Sequence, residues 1–431
     1  MSIAKSTSSD LPAQSLESAD PHRWVVFGLI SAVYFFVYFH RVSTSVIAAD
    51  LLETFKTHAA ALGLMSSMYF YLYAVLQPLV GYLSDRLGPR RVVGYFSLIS
   101  AAGCVLFGAA PTIAWAGVGR GIIGIGVGGV YIPALKAFSQ WFKRNEFATA
   151  TGLLLAVGNI GAIVATTPLA WMSGTWGWRW SFFIIGAVTL GLALSTFFFL
   201  RDRPDPPPQG TAILDDKPSK NLLKTMARVV LATKFWIFAV LAAGVFGVFF
   251  TFQGLWATPF VMAILDMTPL EASKLNLFAP LGYIIGSPLI GRFVDRIAKR
   301  KLNVIRSLLA ANVVIWVIIT FGSGYLTSWG IIVLFLLMGV TTGGLSTSIW
   351  ALLRDITPDS AFGSYMGLLN PFPLLGIAVL QASTGAIIAR LGGTDAIYQS
   401  AVYTDAFILC LIVLIVCLSL LFLAGKSLEK K

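Results

Sequence analysis

Gly81-Tyr82-Leu83-Ser84-Asp85-Arg86-Leu87-Gly88-Pro89-Arg90-Arg91 is answered half a chain later by Gly291-Arg292-Phe293-Val294-Asp295-Arg296-Ile297-Ala298-Lys299-Arg300-Lys301. The two leading glycines are 291 − 81 = 210 residues apart in a chain of 431. Each copy closes one long apolar segment and precedes another. Phe147, Gly152 and Gly161 recur as Phe362, Gly367 and Gly376, each offset by 215. A short charged loop repeated at the same place in two apolar halves marks a duplicated membrane unit.

Composition leads to the membrane independently. The chain is 57% hydrophobic and 12% charged, with a mean hydropathy of +0.81, more apolar surface than a water-soluble domain can hide. Crossing a bilayer takes roughly 20 apolar residues. Twelve such spans are expected, near 24–48, 60–83, 92–110, 113–140, 147–172, 180–200, 234–262, 273–291, 304–324, 329–352, 362–389 and 401–424. The fold class is therefore all-α, with one six-helix bundle over 24–200 and a second over 234–424. Residues 1–23 and 425–431 are expected to be cytoplasmic tails, the first disordered and without a cleavable leader. Residues 201–233 open with Arg201-Asp202-Arg203-Pro204-Asp205-Pro206-Pro207-Pro208 and continue polar. Clustered prolines cannot continue a helix, so this stretch is expected to be the central cytoplasmic linker.

Charge placement sets the expected orientation. Arg86, Arg90, Arg91, Lys143, Arg144, Arg201, Arg203, Arg296, Lys299, Arg300, Lys301, Arg354, Lys426, Lys430 and Lys431 all follow even-numbered spans. The other loops hold little beyond Lys56, Arg179, Lys274 and Arg390. An excess of Lys and Arg on one side puts that side, and both termini, in the cytoplasm. The net charge of +12 is this bias, split among short loops, and no nucleic-acid partner is implied. Cys104, Cys410 and Cys417 fall within spans and read as packing residues. Three histidines, His22, His40 and His58, are too scattered for a metal site. No nucleotide-binding loop is present, so neither an enzyme nor a cofactor is expected.

Specificity should come from polar groups stranded in apolar spans, where each costs several kcal/mol unless it meets a cavity or a partner. No Asp or Glu lies near the middle of a span, and three cations do lie within spans of the first half. Tyr34, Tyr38 and Arg41 are spaced i, i+4, i+7 and share one helix face. A guanidinium with two phenols suits a carboxylate, sulfonate or phosphate, and the alternative is an Arg snorkelling or held by backbone carbonyls. His40, next to Arg41 but on another face, is the candidate for proton coupling, or else a packed histidine. Arg120 opens the glycine-rich fourth span and Lys136 lies near its end. In the second half Gln253, Asn276, Ser346, Asn370 and Gln381 interrupt apolar spans, with Asn370 before Pro371 and Pro373 marking a break. Trp256 lines the cavity or packs the core. Together these propose Arg41, Tyr34, Tyr38, Arg120, Lys136, Gln253, Trp256 and Asn370 as substrate contacts.

The first loop copy resembles in full the signature loop of the major facilitator superfamily, G-x-x-x-D-R-x-G-x-R-R; the second has Ala298 at the Gly position. The resemblance implies a latch of Asp85, Arg86, Gly88 and Arg90, with Asp295 and Arg296 as the second copy, that holds the outward-facing state and breaks on inward opening. A carboxylate there can pair with Arg86 or Arg90, or cap a neighbouring helix. Arg120-Gly121-Ile122-Ile123-Gly124-Ile125-Gly126 is similar to the superfamily's fourth-helix R-x-x-x-G-x-G motif, where the Arg serves proton coupling or recognition of substrate charge. Tyr131-Ile132-Pro133-Ala134-Leu135-Lys136-Ala137-Phe138-Ser139-Gln140-Trp141-Phe142 resembles the anion:cation symporter and organophosphate:phosphate antiporter branches. Departures are Val127 where many proton-coupled anion symporters carry Glu, a span 7 with Phe249, Gln253 and Trp256 but no Arg, and a span 5 without the Gly-Pro step of drug antiporters. The resemblance implies a monomeric carrier in a lipid bilayer, expected in a bacterial inner membrane. It would move a small organic anion by alternating access, importing it with protons or exchanging it for a counter-anion. A non-transporting sensor or assembly protein on the same fold is the alternative class.

Overall fold

The structure, a computed structural model, describes residues 21–142, 146–203, 229–296, 301–357, 365–392 and 400–425. Its long elements are all helical. In the first half they are α1 (His22–Val46), α2 (Ala48–Phe55), α3 (Ala59–Leu87), α4 (Pro89–Ala109), α5 (Ile113–Gly128), α6 (Tyr131–Trp141), α7 (Phe147–Val164), α8 (Thr167–Trp176) and α9 (Trp178–Phe199). The second half has α10 (Thr233–Thr251), a π-helical segment (Phe252–Trp256), α11 (Ala257–Leu265), α12 (Pro269–Asn276), α13 (Phe278–Arg296), α14 (Lys301–Phe321), α15 (Ser328–Ile356), α16 (Pro371–Gly392) and α17 (Ser400–Leu423). Most of the expected central linker, residues 204–228, lies outside the described residues, as do residues 1–20 and 426–431.

Among the described residues eleven stretches are long and apolar enough to cross a membrane, and a bent pair counted as one span makes twelve. Among the described residues the sharpest departure from twelve continuous spans is this bend. Span 5 turns by 40° between Val164 and Thr167. Thr166 Oγ1 donates back to the Ile163 carbonyl at 2.6 Å, and Pro168 has no N–H with which to continue the ladder. Span 1 also runs on past its expected end, as α2 after a kink at Ile47, and it begins at His22, inside the expected tail. Exposed tryptophans ring both ends of the bundle. Trp24 and Trp236 lie at one end and Trp115, Trp176, Trp180 and Trp329 at the other, the belts that aromatic side chains form at the two membrane interfaces.

The end holding His22 and Gly425 is termed the terminal face, and the opposite end the far face. Between α3 and α4 the chain reverses at Gly88, whose φ of +80° and ψ of 158° suit glycine alone. A Cβ there would also stand 2.7 Å from the Asp202 carboxylate, which accepts from the Arg90 backbone N–H at 2.7 Å and so caps α4. Both demands meet in one residue, which explains why the loop pattern needs glycine at this place.

The two bundles touch along α3 and α16. A Cβ on Gly63 would stand 2.4 Å from the Gln381 carbonyl oxygen, and one on Gly385 2.7 Å from that of Ala59. Nearer the terminal face, Asn370 Nδ2 donates to Gln77 Oε1 at 2.9 Å. The far face is drawn closed by further contacts between halves. The Thr258 N–H donates to Ser45 Oγ at 3.1 Å, Ser273 and Thr167 hydroxyls meet at 3.5 Å, and a Cβ on Gly254 would stand 2.6 Å from the Arg41 carbonyl oxygen. Gly152 and Gly367, toward the terminal face, have open space where a Cβ would be.

Candidate functional site

The stripe Tyr34–Tyr38–Arg41 on α1 faces the seam between the bundles. The two phenol rings lie edge to face at 5.6 Å, and Tyr34 stacks on Tyr131 of α6 at 5.7 Å. Gly158 on α7 makes room for them, since a Cβ there would fall 2.9 Å from both rings. Arg41 is half-buried. Its guanidinium carbon sits 4.4 Å from the Tyr38 ring centre and 5.0 Å from that of Phe250, which belongs to the other half. Tyr69, Tyr73 and Tyr283 stand within electrostatic reach. Among the described residues no carboxylate pairs with Arg41, and its buried Nε has no protein partner. Aromatic faces soften the cost of holding this cation in the membrane but do not neutralise it.

Across the seam lie three amides. Gln253 sits in the π-helical segment, where its backbone carbonyl accepts from Asn276 Nδ2 at 3.3 Å. Asn276 Nδ2 also donates to Thr258 Oγ1 at 3.2 Å. Gln381 on α16 completes the set, its Nε2 lying 3.7 Å from where a Gly254 Cβ would be, beside the Arg41 backbone. Gln253, Asn276 and Gln381 are at most 1% exposed. Both amide ends of Gln253 and Gln381, and Asn276 Oδ1, lack a protein partner. A buried amide end without a partner costs about 1–3 kcal/mol, which makes the cluster a candidate place for a ligand's polar groups. A guanidinium without a carboxylate partner, with amides bearing unused ends beside its backbone across the seam, is a chemistry that could hold an anionic head and hydrogen-bond an uncharged body.

Four expected contacts lie elsewhere. Lys136 donates from Nζ to Asp85 Oδ1 at 2.7 Å and to the Ser84 carbonyl at 3.0 Å. The chain breaks at Gly129–Val130 before α6 starts, and this lysine stands beside Asp85 of the expected latch, at the terminal face. Trp256 is fully buried and donates from Nε1 to Thr384 Oγ1 at 2.8 Å, tying the π-helical segment to α16. Asn370 follows a helical turn from 365 to 369 and bonds Gln77 rather than reaching Arg41. Arg120 is fully buried inside the first bundle, donating from Nη1 to the His40 carbonyl at 3.0 Å and lying 4.8 Å from the Tyr69 ring centre; its Nε and Nη2 have no protein partner. It stands behind Tyr69 as seen from Arg41, a second positive charge one ring away.

His40, the proton-coupling candidate, also turns into the first bundle. Its Nε2 is 3.5 Å from Cys104 Sγ and its ring packs 6.1 Å from Phe182, away from the phenols and the amides. Adjacent residues on a helix diverge by about 100°, and that separation removes His40 from the site.

At the latch, Asp85 pairs with Lys136 and not with Arg86 or Arg90. Arg86 lies 4.9 Å from the Tyr82 ring centre, and the Arg90 guanidinium donates to the Phe197 carbonyl. In the second copy the side chain of Asp295 lies outside the described residues, and Arg296 is exposed. There Lys301 pairs with Asp355 at 2.7 Å. The first half thus joins a loop acid to a base near the end of span 4, and the second a loop base to an acid near the end of span 10. The aromatic shell of Tyr69, Tyr73, Tyr131, Tyr283 and Phe250 was not anticipated; the i, i+4 spacing of Tyr69 and Tyr73 in a span rich in small residues is the signal for part of it.

The family profile described as Major Facilitator Superfamily matches residues 30–258 and again 250–431. The chain belongs to the Major Facilitator Superfamily. It is thus a multi-pass membrane protein of a transporter family; the first matched segment runs on through the expected linker into α11, and the second begins near the end of α10. A probable sulfoacetate transporter of Cupriavidus necator is 34% identical over 183 residues, 42% of this chain and 43% of that one, so the chain matches under half the length of that relative. A hexuronate transporter of Escherichia coli is 23% identical over 395 residues, 86% of this chain and 88% of that one. A bacterial homologue of the human lysosomal transporter Spinster, solved in an inward-facing and unoccupied conformation, superposes with a TM-score of 0.77 at 17% identity over 96% of this chain and 99% of that one. The likeness to that structure speaks for the fold alone.

Proposed function

We propose that this superfamily member moves a small organic anion, a carboxylate or sulfonate, across a bacterial inner membrane by alternating access, and that it does so as a monomer. The observation that carries this reading is Arg41, a guanidinium at the seam between bundles with no carboxylate partner among the described residues, and with buried amides bearing unused ends beside its backbone in the other half. Relatives named for sulfoacetate and hexuronate support the ligand's charge, which is shared by a two-carbon sulfonate and a hydroxylated carboxylate. The amides favour a body with hydroxyl or carbonyl groups, because hydrogen bonds to those groups would satisfy them. Positive charge in the loops supports a cytoplasmic terminal face. On this reading the contacts at the far face would close the outer side of the carrier. Import with protons is the favoured coupling and anion exchange the alternative.

Uptake of labelled sulfoacetate and D-galacturonate into liposomes holding the purified protein tests this. Saturable uptake of at least one, faster with acid outside, is expected. Binding of an anion without flux under any gradient would overturn the transport reading in favour of a sensor.

A further inference from the structure

A proton-driven carrier needs a group that takes up the proton, and among the described residues no Asp or Glu lies near the middle of a span. Asp50 stands at the outer rim instead. It lies on α2, just beyond the membrane-crossing part of span 1, and it is half-buried. The Ser173 hydroxyl donates to its Oδ2 at 2.5 Å, a short contact of the charge-assisted kind. Ser173 belongs to α8, the outer half of the bent fifth span. The first residue of α8, Thr167, meets Ser273 of α12 across the bundle boundary. A second bond, from Trp178 Nε1 to Thr54 Oγ1 at 3.0 Å, fastens α2 to α9. Asp50 therefore sits on the joint between α2 and the element that closes the far face.

No cation answers Asp50 among the described residues. Glu53 on its own helix is a like charge. At the turn into α3, Lys56 forms no ion pair with it, and His58 is occupied capping α3 through Ala61 N–H at 3.4 Å. On α9, Arg179 is turned to the carbonyls of Gly108 and Ala110, both at 2.8 Å. On α12, Glu271 closes its own capping box with Thr268, and Lys274 is exposed. α8 carries no titratable group. Burial raises the Asp50 carboxyl above the usual carboxylate range, the Ser173 hydroxyl opposes this, and Glu53 adds to it.

We propose that Asp50 is the proton-binding group of the far face, and that neutralising it favours the closed arrangement in which α8 is seated against α12. The sign follows from linkage. A carboxyl that holds its proton more tightly when closed than when solvated makes closure more favourable as pH falls through its folded pKa, and that contribution is lost as pH rises. An acid exterior would then drive closure over a loaded site, which is the step that proton-driven import requires. The inference rests on the transporter reading for its purpose, but its test does not depend on flux.

Labels on Trp176→Cys and Leu270→Cys report the distance between α8 and α12; the three native cysteines are buried. Pulsed spin-label distances are read on the full-length protein in nanodiscs from pH 8 to pH 5. The closed population should grow as pH falls. Asp50→Asn, which mimics the neutral acid, should be closed throughout with no pH response. Ser173→Ala should keep the response but move its midpoint to higher pH, because it removes the bond that favours the ionised form; a purely structural bond would not move the midpoint that way. A titration persisting in Asp50→Asn, or a midpoint moved downward by Ser173→Ala, would overturn the proposal. A normal titration in a protein that carries no anion would sink the transporter reading and leave the proton site standing.

Discussion

In the first bundle the buried charges are cations wrapped in rings, Arg41 over Tyr38 and Phe250 at the seam and Arg120 over Tyr69 behind it, inside the bundle. In the second the polar groups at the seam are amides with unused hydrogen-bonding ends, Gln253, Asn276 and Gln381. Duplication therefore kept the scaffold and divided the chemistry, giving charge to one half and neutral hydrogen bonding to the other. The latch shows the same division, because Asp85–Lys136 and Lys301–Asp355 exchange the sign of the loop partner. What symmetry preserves is where charges pair, and what it releases is which side supplies which charge.

The sharpest way to break this division is Arg41→Ala. Uptake should fall by about 100-fold or more, as expected on losing charge-assisted, forked hydrogen bonds, while the melting temperature stays close to wild type. Arg41→Lys should recover little. Radiolabelled uptake with a parallel thermal melt checks both, and retained uptake with unchanged affinity would remove Arg41 from the site.

Gln253→Leu and Gln381→Leu probe the neutral side. Each should weaken ligand affinity about 10-fold by removing one hydrogen bond to the body, and each should also raise the melting temperature, because an orphaned buried amide has been replaced by an apolar group. Opposite signs in the two measurements mark a functional amide; falling stability with unchanged binding would mark a structural one.

The smallest effect belongs to the latch. Asp85 is 57% exposed as a side chain and Lys136 25%, so solvent screens the pair and it contributes little, about 0–1 kcal/mol. Asp85→Asn and Lys136→Met should each slow transport only a few-fold and leave ligand affinity intact. The double variant should be no slower than either alone, as for two residues acting through one contact. Additive slowing would show that Lys136 has a separate role.

Much of this arrangement was legible before any coordinates. Hydropathy located the spans because each must satisfy its own backbone in lipid, and the i, i+4, i+7 spacing of Tyr34, Tyr38 and Arg41 placed them on one face. The bend in span 5 was hidden because Thr166 and Pro168 lie in a run that hydropathy reads as continuous. The pairing of Lys136 with Asp85 was not legible, because it depends on the break at Gly129–Val130 and on how α6 meets α3. Gln253, Asn276 and Gln381 stood out singly as polar residues in apolar spans. Their gathering near the Arg41 backbone depends on how α1 meets the π-helical segment, a contact between halves that one-dimensional patterning does not encode.

That segment has a consequence of phase. From Phe252 to Trp256 the helix carries one residue more per turn, and the Ala257 N–H donates five residues back to the Phe252 carbonyl. Everything beyond it is rotated by about 100° relative to an uninterrupted α-helix. Such a bulge is what an inserted residue leaves behind when a helix absorbs it without lengthening its neighbours. It lets Gln253 and Trp256 serve two different walls, one near the Arg41 backbone and one against α16, from a single turn of chain. A relative lacking that extra residue would keep the same fold, yet the faces beyond it would be turned, and two positions aligned by sequence would no longer look into the same space.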